Sequence, residues 1–129
     1  MGKVIGIVGT RYTKFHSGKW EASIKEFIDS LPSDTEIVIN GAPGTDLTAA
    51  NYAKSKGIPV TVLFPDVVYG DDPKFFIHRN TAVISKVDEV HAFWDGNSRG
   101  TRHAIVLAKS LNKPVHLHYV NDQDWEKAC

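Results

Sequence analysis

A three-layer α/β domain with a five-stranded parallel sheet in the order 3-2-1-4-5 is predicted by three observations. Short apolar, β-branched runs alternate along the chain with segments of helical periodicity. The runs are nearly continuous rather than alternating, as in strands covered on both faces. Glycine-rich turns follow the first, second and fourth runs, where crossover connections begin.

The elements follow in order. Val4–Val8 is the first strand. Trp20, Ile24, Phe27, Ile28 and Leu31 then form one helical stripe. Glu36–Ile39 is the second strand, and Leu47, Ala50 and Ala53 mark a helix ended by Gly57 before Ile58-Pro59. Val60–Phe64 is the third strand. Phe64–Asp72, with Pro65, Tyr69, Gly70, Asp71 and Asp72, is the longest expected loop. A helix over Phe75–Val87 carries Phe76, Ala82, Val83 and Val87 on one face. Val90–Phe93 is the fourth strand. Ala104, Leu107, Ala108 and Leu111 mark the next helix, stopped by Asn112 and Pro114. Val115–His118 is the fifth strand, followed by a short piece around Asp124–Lys127. Right-handed crossovers leave few topologies for this alternation, and the order 3-2-1-4-5 gives a minimal Rossmann-like sheet. No linker, repeat or low-complexity segment divides the chain, so residues 1–129 are expected to form a single domain.

Composition narrows the class. Apolar residues make up 42% and charged residues 23%, the balance of a globular protein. Cys129 is the one cysteine, so no intramolecular disulfide framework is available. No apolar run approaches a membrane span, and the N-terminal run ends in a turn rather than a cleavage site. The expected location is cytoplasmic, with no membrane partner. Lys+Arg and Asp+Glu number fifteen each, for a net charge of zero. Broad nucleic-acid binding usually needs a basic excess, so no nucleic-acid partner is expected from composition. The apolar helix faces support an expected homodimer or higher homo-oligomer.

Ligands of open α/β sheets bind at the carboxyl ends of the strands, where strand order reverses. That point lies between strands 1 and 4, and three unusual loops meet there. They are Gly9-Thr10-Arg11, Asn40-Gly41-Ala42-Pro43-Gly44-Thr45-Asp46, and Trp94-Asp95-Gly96-Asn97-Ser98-Arg99-Gly100-Thr101. Glycines allow close approach of backbone N–H groups to an anion, and a helix N-terminus adds unpaired donors. Thr45, Ser98 and Thr101 offer hydroxyls; Arg11, Arg99 and Arg102 offer charge-assisted bonds. An arginine opening a helix opposes its dipole unless an anion is near, which favours a ligand at Arg99-Gly100-Thr101. The plainer reading gives the glycines to turns and Asp46 and Ser98 to helix caps. Trp94 either stacks on a base or packs beneath its loop. Tyr12, Phe15 and Tyr69 are further stacking candidates.

These motifs, with Arg79-Asn80 between the second and third loops, resemble the SLOG superfamily, and most nearly its YspA/YpsA-related branch. That branch reads roughly G-[ST]-R, G-G-A-x-G-x-D-x-x-A, R-N and G-x-x-x-G-T. The resemblance runs from Val4 to about His118. It implies a Rossmann-like fold and a nucleotide or nucleotide-derived ligand. The relatives it brings in are LOG-type phosphoribohydrolases, DNA-binding DprA proteins and ligand-sensing defence domains. It also implies that Arg79 faces the site.

Departures from the pattern bear on chemistry. The LOG-type motif P-G-G-x-G-T-x-x-E ends in a catalytic glutamate, and Ala104 stands there. Cleavage of an N-glycosidic bond needs a carboxylate to stabilise a sugar cation, which alanine lacks. Asn40 replaces the first glycine of the Gly-Gly-Ala motif. Asp46, Asp95, Arg79 and His103 are the remaining catalytic candidates, with His103 able to exchange protons near neutral pH. Asp46 and Asp95 serve equally well as caps or ribose acceptors. The expected function is therefore a sensor or sequestering module for a nucleotide derivative. The residues expected to touch it are Gly9, Thr10, Arg11, Gly41, Ala42, Gly44, Thr45, Asp46, Arg79, Asn80, Trp94, Asp95, Gly96, Ser98, Arg99, Gly100 and Thr101. A nucleotide N-glycosidase using Asp46 or Asp95 is the first alternative, and single-stranded nucleic-acid binding the second. No cofactor is expected. His116 and His118 share one strand face, but the sequence shows no third ligand, so no metal site is expected.

Overall fold

Val4–Gly9 forms β1, and its side chains divide between the two faces of the sheet as strand geometry requires. The computed structural model describes residues 2–9, 18–40, 45–63, 75–94 and 99–119; the side chains of 18–20, 46, 75–79 and 119 lie outside that description. After β1 come α1 (Gly18–Asp29), β2 (Glu36–Asn40), α2 (Thr45–Ser55), β3 (Val60–Leu63), α3 (Phe75–Ile84), β4 (Glu89–Trp94), α4 (Arg99–Ser110) and β5 (Val115–Tyr119). All strands pair in parallel, in the order β3-β2-β1-β4-β5. The predicted fold class and strand order are both found. Phe64, Asp71-Asp72 and Asp124–Lys127 lie outside the described residues.

Two core layers follow from the alternation of side chains. Ile5, Ile7, Ile37, Ile39 and Phe93 pack on one face against Ile24 and Ile28 of α1 and Ala49, Ala50 and Ala53 of α2. Val8, Val38, Val90 and Ala92 pack on the other against Val83 and Ile84 of α3 and Ala104 and Ala108 of α4. Each fully buried Ile or Val contributes about 1.5–3 kcal/mol. Gly6 keeps α3 close: a Cβ there would lie 3.2 Å from the Val83 and Val87 side chains.

Helix ends match the expected stop signals. Gly57 (φ 78°) and Asn112 (φ 58°) take the left-handed conformation after α2 and α4. Ile58 N–H then donates to the Ala53 carbonyl at 3.0 Å, and Lys113 N–H to that of Ala108 at 2.9 Å. The Lys113 ammonium turns back to donate to the carbonyls of Ile84 (2.5 Å) and Val87 (2.7 Å), neutralising the end of α3.

Two stripe assignments are corrected. Leu47 and Leu111 are exposed, at 39% and 48%. The buried line of α2 runs through Thr45, Ala49 and Ala53, and Leu47 lies on the opposite side of that turn. Leu111 falls after Ser110, where α4 has ended and the chain turns away. Val87 is buried as expected, but α3 ends at Ile84. Among the described residues no helix is long and apolar enough to cross a membrane.

Candidate functional site

β1 lies between β2 and β4, so their carboxyl ends form the rim where the connections diverge. The described part of that rim comprises Gly9, Asn40, the start of α2, Trp94 and the start of α4. Thr10, Arg11, Gly41, Ala42, Gly44, Asp95, Gly96 and Ser98 lie outside the described residues, as do the side chains of Asp46 and Arg79 and the aromatic candidates Tyr12, Phe15 and Tyr69.

Gly9 ends β1 directly against the first residue of α2. A Cβ on Gly9 would fall 2.5 Å from Thr45 Cγ2 and 2.6 Å from Thr45 Oγ1. The glycine is therefore required by close packing. Thr45 is fully buried and Thr101 nearly so. Both hydroxyls, expected to face a ligand, lie within the packed ends of their helices.

Asn40 ends β2 with 6% of its surface exposed, and its Oδ1 has no hydrogen-bond partner among the described residues. An unpaired buried acceptor is costly, so this departure from the Gly-Gly-Ala pattern leaves a polar atom beneath the rim.

Asn80 is the described half of the Arg79-Asn80 motif. Its Nδ2 donates to the Gly100 carbonyl at 2.8 Å and to His103 Nδ1 at 3.0 Å. Asn80 thus fastens α3 to the first turn of α4, and His103 Nδ1 serves as an acceptor there. This contact ties His103 to the junction of α3 and α4. Ala104 is fully buried in the apolar layer with Val8, Val38 and Ala92. The position of the LOG-type glutamate is thus core in this chain.

Among the described residues, the accessible chemistry at the rim is cationic and aromatic. Arg99 and Arg102 stand exposed on the opening turn of α4, which carries no acidic residue. The Arg102 guanidinium lies 5.6 Å from the centre of the Trp94 ring, a cation–π contact. Trp94 is half-buried at the end of β4. His116 lies towards the amino end of β5, in register with His91, while His118 pairs with Phe93, one residue before Trp94.

Fold and rim together define a Rossmann-like α/β domain with its candidate surface at the carboxyl ends of the strands. Solved structures that share this fold include two of DNA processing protein A. DNA processing protein A (DprA) from Streptococcus pneumoniae superposes with a TM-score of 0.77 and 18% identity, over 95% of this chain and 52% of that one. DNA processing protein A from Helicobacter pylori, described for its unique single-stranded DNA binding mode, gives a TM-score of 0.68 and 20% identity, over 98% of this chain and 73% of that one. The chain thus spans about half the length of the first neighbour. The likeness shows that this chain has the fold found in these DprA structures. The sequence matches no protein-family model and no curated protein.

The expectations of a free nucleotide ligand and of no nucleic-acid partner are corrected here. Both of these structures are of DNA processing protein A, and one is described for its single-stranded DNA binding mode. The physical reason lies in the use of net charge. Net charge sums over the whole chain, whereas a strand is held by cations gathered along one rim. A total of zero leaves room for Arg99 and Arg102 to stand together.

Proposed function

We propose that this chain is a single-stranded nucleic-acid-binding domain that holds the phosphodiester backbone along the carboxyl rim of its sheet. The observation that carries the reading is the structural likeness to a single-stranded-DNA-binding protein over 98% of the chain. The rim supplies suitable chemistry. Arg99 and Arg102 pair with phosphates, and the N–H groups opening α4 add donors. Trp94, beside Arg102, offers a face on which a base stacks, worth about 1–3 kcal/mol. Only unpaired bases reach such a face, which favours single strands over duplex. Thr45 and Thr101 contribute packing in this reading.

The ordered motifs support placing residues 1–129, as one domain, in the SLOG superfamily near its YspA/YpsA-related branch, acting in the cytoplasm. Exposed Val106 (61%) and Leu117 (51%) support homo-oligomerisation, which would set several rims along one strand.

The test is fluorescence anisotropy with labelled oligothymidylate across a range of salt. Binding is expected to weaken with salt, and Arg99→Ala with Arg102→Ala to weaken it at least tenfold. The slope of log K against log salt should fall by about 0.7 for each phosphate that is no longer neutralised. Absence of binding at low salt, binding unchanged in the folded double variant, or displacement by an equal concentration of mononucleotide would overturn the reading.

A further inference from the structure

The parallel pairing of β4 and β5 assembles a cluster that no single strand encodes. His91 pairs with His116 in register, and Glu89 lies two residues before His91 on the same face. His91 Nε2 is 3.0 Å from Glu89 Oε1, and His116 Nε2 is 3.7 Å from Glu89 Oε2. One ligand atom from each of the three residues falls within 4.8 Å of the others. Around a tetrahedral zinc-type ion with bonds near 2.1 Å, ligand atoms lie about 3.4 Å apart. Small side-chain rotations close that difference.

We propose that Glu89, His91 and His116 bind a divalent transition-metal ion of the zinc type, with a fourth position left to water. Two imidazoles and one carboxylate are a donor set for such ions, whereas calcium and magnesium favour oxygen throughout.

The surroundings are organised in the way metal-binding imidazoles require. His91 is 7% exposed, and its second nitrogen, Nδ1, lies 3.2 Å from His118 Nε2. That contact fixes the orientation of the ring, with Nε2 turned towards Glu89. Because Glu89 only accepts, His91 carries its proton on Nε2 without metal. On binding, the Nε2 proton of His91 leaves to solvent, the proton that His118 donates through Nε2 passes to His91 Nδ1, and His118 takes one from solvent on its own Nδ1, so both imidazoles stay neutral. Burial favours the neutral form of both His91 and His118, which are lowered from their ordinary values, His118 to about 4. Phe27 closes the inner side, with its ring centre 4.5 Å from that of His91 and 5.0 Å from that of His118.

Two movements accompany binding. His116 stacks on His91 with ring centres 4.6 Å apart and planes 13° apart, so its ring must turn to aim at a shared ion. Its side chain is 52% exposed and free to do so. Lys3, whose ammonium is 3.2 Å from Glu89 Oε2 with 68% of the side chain exposed, must yield the carboxylate. Lys3 is thus a competitor for the site. The cluster sits towards the amino ends of β4 and β5, away from the carboxyl rim, so it stands or falls independently of strand binding.

Cobalt(II) titration followed by visible absorption tests the proposal. One Co2+ per chain should give the absorption of a low-coordinate nitrogen–oxygen site, and Zn2+ should displace it. His116→Ala, an exposed change compatible with folding, should weaken Co2+ binding at least tenfold. Lys3→Gln should tighten it, because Glu89 is released; a merely structural cluster would show neither response. Cys129→Ser should leave the spectrum unchanged. No absorption up to millimolar Co2+, absorption retained in His116→Ala, or absorption lost in Cys129→Ser would overturn the proposal.

Discussion

Asn80 donates through Nδ2 to the Gly100 carbonyl at 2.8 Å, fixing α3 against the opening turn of α4. The same nitrogen reaches His103 Nδ1 at 3.0 Å. With 6% exposure, Asn80 has little water to replace these partners. Asn80→Ala should destabilise the fold by about 1–3 kcal/mol, measured by urea denaturation. Nucleic-acid affinity should fall as well, because the turn bearing Arg99 and Arg102 loses its support. Unchanged stability would show that the clip is dispensable.

Ala104 offers a decisive substitution for chemistry. Ala104→Glu restores the residue of the LOG-type motif, yet the position lies in the apolar layer between α4 and the sheet. The buried carboxylate should destabilise the protein by several kcal/mol or become protonated. No release of base from nucleoside monophosphates is expected, as followed by chromatography. A stable, active variant would show that the position opens to the site.

Gly9→Ala places a methyl group against Thr45, at separations of 2.5–2.7 Å that packing does not tolerate. The strand end or the start of α2 must shift, at about 1–3 kcal/mol. Thermal unfolding should show a lowered Tm. Equal stability would mean that the two ends separate without penalty.

The histidine cluster makes the metal-free protein acid-sensitive. His118 is pushed down to about 4, first by burial and then by His91 and His116. His91 is lowered too, burial outweighing its bond to Glu89, while Glu89 is held down chiefly by that same bond and by Lys3. Glu26 lies across the groove that Phe27 and His118 line. In the unfolded chain His118 binds a proton near its ordinary 6.5, in the folded chain only near 4. Between these values the unfolded state holds more protons, so stability is full above pH 6.5 and falls on acidification towards pH 4. Allowing for the partial exposure of His118, the loss is on the order of 1 kcal/mol. Urea midpoints in chelator at pH 7.5 and pH 5 should differ in that sense, and His118→Phe should flatten the profile. A midpoint that rises on acidification would contradict the assignment.

Much of the fold was legible because local patterns dictate it. The continuous run at Val4–Gly9 and the stops at Gly57 and Asn112 have causes within a few residues. Leu47 misled because hydropathy alone does not reveal which side of a helix made of small residues meets the sheet. The point where strand order reverses, between β1 and β4, follows from the alternation of strands and helices. The partner of the rim was misjudged because a net charge carries no information about where charges stand. The Glu89–His91–His116 cluster was invisible for another reason. His91 and His116 stand on different strands, and only the register of β4 against β5 brings their side chains together. Alternation within a strand is local, while register between strands is a tertiary property.

The strand order also has a consequence in time. β1 is made first, yet one of its two neighbours, β4, follows much later: Val4 and Asp88, joined by a backbone-to-carboxylate bond, are 84 residues apart. While the chain emerges, β1, β2 and β3 can assemble with one side of β1 still unpaired. That open edge persists until β4 arrives and offers a nascent chain a site for mispairing. Folding of this protein is therefore expected to be gated by closure of the sheet's centre, with the last strands docking onto the first.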